Sequence, residues 1–406
     1  MDVAGSGLDT NRRGFIKGTL ATGAAVGLSA SLAGTVAAGG DATPGRQAAE
    51  GVHVYVGTYT TNNRAEGLYV YRMDVATGAL THAHTVTGVD NPSFLALHPQ
   101  WPYLYAANEV GNYEGMRSGS VSAFAITPTG DLALLNRQAT HGRSPAHVSV
   151  DPSGRYLLAA NYSDGNVAVF PIQADGRLGE ASDVVQHEGQ GPNARRQAGP
   201  HAHFITTDPA GVRVLAVDLG IDKVMVYRLD GTTGTLVPNE LPYAQVSSGA
   251  GPRHLAFHPN ARYVYVINEL DSTISAFAYD AERGALQIVQ TVSTLPEDFT
   301  EASTCAQIVV HPSGRFAYGS NRGHDSIAMF AVDEVSGKLT ALGHESTQGR
   351  TPRNFNLDPS GTFLYAANQN TNTIVTFRVD QTAGTLTPTG QVTETLSPVC
   401  IVFRQA

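Results

Sequence analysis

Short apolar runs recur along the chain, each opened by a turn dipeptide and closed by a polar residue. Six share one pattern: HPQWPYLYAAN (98–108), DPSGRYLLAAN (151–161), DPAGVRVLAVD (208–218), HPNARYVYVIN (258–268), HPSGRFAYGSN (311–321) and DPSGTFLYAAN (358–368). Their length, aromatic and β-branched content and bounding turns predict strands, and amphipathic helical spacing is scarce after residue 50. A second motif, an aromatic-ended strand followed by Gly-x-Leu, occurs seven times, with its leucines at Leu80, Leu132, Leu178, Leu236, Leu286, Leu339 and Leu386. The period is roughly 50 residues, in the range of radial β repeats.

Each unit reads as four strands, so the fold class expected is all-β: a seven-bladed β-propeller of four-stranded blades. The first unit begins with VHVYVGTY (52–59), which matches the second strand of the others and has no first strand before it. The final segment SPVCIVF (397–403) matches that missing strand. The C-terminal strand is therefore expected to pair into the N-terminal blade and close the ring. Closure makes residues 51–406 one cooperative domain, because no blade boundary can be cut without opening it.

Composition narrows the function classes. The 406 residues include 43 glycines and 21 prolines, with 42% hydrophobic and 15% charged side chains, which suits strands joined by tight turns. A formal charge of -9 without a basic cluster in the body of the chain excludes nucleic acid as an expected partner. The N-terminus differs: NRRGFIKGTLATGAAVGLSASLAGTVAAGG pairs Arg12 and Arg13 with Phe15 and Lys17 ahead of a weakly apolar Ala/Gly stretch. This reads as a twin-arginine export signal over residues 1–38, followed by a linker over 39–50. The stretch is too rich in glycine for a lasting membrane anchor, so an extracellular or cell-envelope protein without stable membrane association after cleavage is expected. Cys305 and Cys400 fall in non-adjacent units and are expected as buried thiols.

The repeat also acts as an internal control, since a residue shared by most blades is scaffold and one that differs is free for chemistry. Asn108, Asn161, Asn268, Asn321 and Asn368, with Asp218 in the same slot, read as turn residues bonding local backbone. His98, His258 and His311 alternate with Asp in sister turns and read as caps. In a propeller the start of the first strand and the end of the second share one mouth of the central channel. The first-strand positions there are Ser93 and Phe94, Ala146 and His147, His203 and Phe204, Arg253 and His254, Ala306 and Gln307, Arg353 and Asn354, and Val399 and Cys400. The second-strand ends are Tyr59, Glu109, Tyr162, Leu219, Glu269, Arg322 and Gln369. Blades four, five and six thus converge His201, His203, Arg253, Glu269 and Arg322 on one spot, where donors outnumber carboxylates and leave positive charge for a ligand. His201 and His203, two apart, are expected on one strand face. The long loop 186–200 has the reach to bring Arg195 or Arg196 over the mouth, and 294–304 to form the opposite wall.

The segments PHAHF, GPRHLAFHP, VINEL, STLPEDFTE, SNRGHDSIAMF and TPRNFNLDPSGTFLYAANQ resemble the seven-bladed lactonase family, which includes propeller-type 6-phosphogluconolactonases and a fungal carboxymuconate-cyclising enzyme. The resemblance implies a lactone hydrolase acting on a small-molecule lactone, without cofactor or metal, with chemistry carried by His201 or His203, Arg253, Glu269 and Arg322. It also marks a departure: Gln307 stands where the family often has an acid.

On chemical grounds Glu269 is the candidate general base, with His201 or His203 as the alternative and as proton donor to the leaving oxygen. Arg253 suits the tetrahedral oxyanion, while Arg322 and Arg353 suit a carboxylate or phosphate on the substrate. His147, His254, Arg196, Gln307, Asn354, Tyr59 and Glu109 complete the expected binding set. A metal on His201 and His203 is disfavoured by the neighbouring arginines. A monomer is expected. A cycloisomerase of the muconate type and a non-catalytic ligand-binding propeller are the competing readings, and export favours a neutral or carboxylated lactone over a phosphorylated one.

Overall fold

The computed structural model describes residues 51–61 and 65–405; the export signal and linker read from the sequence lie outside them. The described chain forms seven antiparallel sheets of four strands each. Six use consecutive strands, and the seventh places Pro398–Gln405 beside Val52–Thr58, so the C-terminal strand closes the ring as the repeat requires.

Each blade buries one face on the next, and the core lies between blades. One cluster joins Tyr265, Ile267 and Ile274 of blade five to Cys305, Ala317 and Phe330 of blade six; another carries Val54 and Val56 of blade one against Phe363 and Tyr365 of blade seven, sealing the ring. The repeated second-strand tyrosine adds a directional clamp. Tyr105, Tyr265 and Tyr318 each donate a hydroxyl hydrogen bond to a glycine carbonyl in the next blade, at Gly176, Gly337 and Gly384. Tyr365 reaches from blade seven to Gly78 of blade one across the closure. A buried phenol needs such a partner, so the same residue serves packing and register.

The shared turn residues behave as scaffold. His98, His258 and His311 accept backbone N–H groups of their own turns at Nδ1 and meet a glycine carbonyl of the next blade at Nε2. Asn108, Asn161, Asn321 and Asn368 each donate a side-chain N–H to a backbone carbonyl of the preceding connection, at Asp90, Thr140, Thr294 and Thr347. Cys305 and Cys400 are buried free thiols, which burial pushes up to about 12.

One irregularity recurs in all seven blades. At the start of the first strand the pairing register slips, leaving Ser93, Ala146, His203, Arg253, Arg353 and Val399, and the pair Ala306 and Gln307, opposite one residue too few. A β-bulge of this kind bends the strand and re-aims the extra side chain. Here it lets adjacent first-strand residues such as Ser93 and Phe94, Arg253 and His254, or Arg353 and Asn354 contribute to the central channel, whereas Cys400 beside Val399 packs into the core between blades one and two.

Candidate active site

The bulges build two layers at the mouth. In the upper layer a cavity of about 340 Å³ is lined by Glu109, Ala146, Tyr162, Arg196, His203, Glu269, Thr304, Arg322 and Arg353. In the lower layer aromatic rings meet across the channel axis. Phe94 and His147 lie 4.1 Å apart by centroid and His147 and Phe204 3.9 Å, while Phe94 of blade two comes within 5.7 Å of His254 of blade five. The channel is therefore floored at this depth, and the cavity opens toward one face.

Glu269 organises the upper layer. Its Oε2 receives Arg253 Nε at 3.0 Å and Arg322 at 2.9 Å, and its Oε1 receives Arg196, which also donates to the Tyr162 hydroxyl. Burial alone would raise the carboxyl, but the Arg322, Arg253 and Arg196 charges win and hold it well below the usual carboxylate range. Glu269 is thus a permanently ionised anchor with little basicity.

Arg253 does not line the cavity. It is 2% exposed and sits behind Glu269, donating also to the Ala306 carbonyl at 2.7 Å and to His254 Nε2 at 3.1 Å. Because guanidinium only donates, His254 Nε2 accepts, and its Nδ1–H is the donor to Gln307 Oε1. Gln307 therefore fixes a neutral His254 tautomer. Burial and the Arg353 and Arg322 charges push Arg253 down, against the pull of Glu269.

His203, the bulged residue of blade four, reaches the cavity; His201 precedes the strand Ala202–Thr207 and stacks on Tyr162 at 4.6 Å, outside the lining. The alternation that would put both on one strand face does not apply across a bulge. His203 packs edge-on against Tyr162 and lies 5.2 Å from His254. Burial, then Arg253 and Arg353, lower His203 well below the ordinary imidazole value, so it is neutral at physiological pH.

Across the mouth Tyr59 donates to Glu109 Oε2 at 2.7 Å, and Arg353 lies over the Tyr59 ring at 5.3 Å without an ion-pair partner among the described residues. His147, His254, Gln307 and Asn354 belong to the layer beneath, where Asn354 Oδ1 accepts the Ile401 N–H. Tyr162, Thr304 and Ala146 complete the lining without having been selected from the sequence. Ala146 and Tyr162 stand among the mouth positions of the repeat, and Thr304 closes the 294–304 segment expected as the opposite wall and opens the first strand of blade six. Among the described residues no cluster of three or more His, Cys, Asp or Glu side chains is placed to hold a metal ion.

Four guanidinium groups thus surround one mouth that holds two carboxylates, with neutral histidines between them. Similarity to known proteins agrees with this geometry. The sequence model described as "Lactonase, 7-bladed beta-propeller" matches residues 53–403. A 6-phosphogluconolactonase of Bacillus subtilis is 40% identical over 297 residues, covering 73% of this chain and 82% of that protein. One of Formosa agariphila is 33% identical over 300 residues, covering 73% and 83%. The structure of a periplasmic gluconolactonase from Pseudomonas aeruginosa superposes with a TM-score of 0.80 at 34% identity, covering 87% of this chain and 99% of that one. The chain belongs to the seven-bladed β-propeller lactonase family.

Proposed function

We propose that the protein hydrolyses a sugar-type lactone at this mouth. The observation that carries the reading is the excess of guanidinium over carboxylate around a cavity that also presents a neutral imidazole. Attack of water on a lactone carbonyl develops an oxyanion, and fixed cations facing a partly dry cavity stabilise such charge strongly. Arg322 and Arg353 face the cavity and take that role together with the binding of substrate oxygens. Arg253, behind Glu269, holds the carboxylate in place. His203 takes the proton from the attacking water, and transfer onward to the ring oxygen opens the lactone. Glu269, the weaker base, keeps three guanidinium groups aimed at one point.

The export signal read from the sequence and the likeness to a periplasmic gluconolactonase support a reaction outside the cytoplasm, on a lactone available there. Proton release by the purified protein over a panel of aldonolactones tests the proposal. His203→Gln is expected to lower kcat by about 100-fold or more while thermal stability stays close to wild type. Wild-type turnover in that variant removes His203 from the chemistry, and absence of proton release from every lactone in the wild type overturns hydrolysis. Conversion of a muconate-type diacid without water incorporation would instead establish the cyclising reaction.

A further inference from the structure

Blade four departs from its sisters at two buried positions that face one another. Where blades two, three, five, six and seven carry Asn108, Asn161, Asn268, Asn321 and Asn368, it carries Asp218. Where Thr140, Thr294, Thr347 and Thr395 each donate a backbone N–H to the residue ahead of the third strand, His187 donates the equivalent bond to Gly165. A carboxylate cannot make the amide's donated bond to backbone, so the exchange at one position demands a donor at the other. The structure supplies it: His187 Nδ1 meets Asp218 Oδ2 at 2.7 Å, with both side chains 0% exposed.

These two residues bracket the loop that carries Arg196. His187 is the last residue before it, and Asp218 Oδ1 accepts the N–H of His201 at its far end at 2.7 Å. Between them Gln197, fully buried, donates to the Leu219 carbonyl at 2.8 Å and to Asp222 Oδ1 at 2.7 Å. Gly220 lets the loop lie against the end of the second strand, since a Cβ there would stand 2.0 Å from the Gly199 carbonyl oxygen. The neighbouring residue, Arg196, then reaches Glu269 and Tyr162 in the cavity wall.

We infer that His187 and Asp218 are positioning residues, a buried pair that clamps both ends of the 188–200 arch and so sets Arg196 over Glu269. Their relevance to turnover rests on the lactonase reading above; their hold on the arch does not. The test is the double substitution His187→Thr with Asp218→Asn, which installs the residue pair of blades three, six and seven and is expected to leave the propeller folded. Backbone hydrogen exchange in 188–200 should rise by on the order of tenfold while the other blades stay protected. His187→Asn, which retains an N–H donor toward Asp218, should restore the protection. On lactone, the double substitution should raise KM about tenfold, and the same change in an Arg196→Ala background should add nothing further, because the effect passes through Arg196. Unchanged exchange in the arch overturns the inference whether or not the protein turns over lactones, and so does an additive loss in the Arg196→Ala background. If exchange rises while no lactone is consumed by the wild type, the positioning role stands and the lactonase reading alone fails.

Discussion

Glu269 on one side of the mouth is gripped by three guanidinium groups, whereas Glu109 on the other makes no ion pair among the described residues and is met by the Tyr59 hydroxyl. The arginines divide the same way. Arg253, Arg196 and Arg322 are committed to a carboxylate, while Arg353 rests on an aromatic face. The two sides therefore separate two tasks that a single charged cluster would confuse. The side of blades four to six ties Arg253, Arg196 and Arg322 to one carboxylate, and the side of blades seven, one and two leaves Arg353 facing the cavity beside Tyr59 with no ion pair among the described residues.

Arg253→Ala should show the largest effect. It removes one of the three guanidinium groups on the 7% exposed Glu269 carboxylate, leaves the Ala306 carbonyl and His254 Nε2 without their donor and opens a buried void, for an expected loss of about 2–5 kcal/mol in chemical unfolding. A midpoint equal to wild type would mean that the network is not structural. Arg353→Met should do the reverse, changing stability by less than about 0.5 kcal/mol while raising KM for an anionic lactone about tenfold and leaving KM for a neutral lactone unchanged, with kcat lowered for both. An equal rise in KM for both substrates would erase the proposed division.

A smaller effect probes the floor beneath both sides. Burial first, then the Arg253 charge, hold His147, His203 and His254 well below the ordinary imidazole value of 6.5. The unfolded chain then binds the additional protons, so stability present above pH 6.5 falls as the pH drops below it. His147→Phe, which matches Phe94 and Phe204 in the flanking blades, removes one of these titrations and should spare about 1 kcal/mol at roughly pH 5.5. A variant with the same acid profile as wild type would show that His147 is not among the groups that titrate.

The propeller was legible because it is written seven times, and the unpaired strand at each terminus announced the closure. The site was legible in its membership and not in its depth. Arg253 and His254 were both assigned to the channel although strict alternation would send them to opposite faces; the bulge is what makes both assignments compatible. Nothing in the repeat says that Arg253 lies behind Glu269 and Arg353 in front, since burial order depends on side-chain length and on which neighbour arrives first. The arch had no sister copy to serve as a control, so Arg196 was an option in sequence and a contact in three dimensions. His201 lies ahead of the strand and His203 is the inserted residue, so period-two alternation does not relate the two.

The side chain inserted at each first-strand bulge has no cross-strand partner, so its identity is uncoupled from the ladder that holds the blade. Positions such as Ser93, Ala146 and Val399 are small or aliphatic here, and exchanging them would re-furnish the channel lining while leaving strand pairing intact. Where the inserted side chain is not tied into a buried network as Arg253 is, such a socket can be refitted one blade at a time without renegotiating how the ring folds.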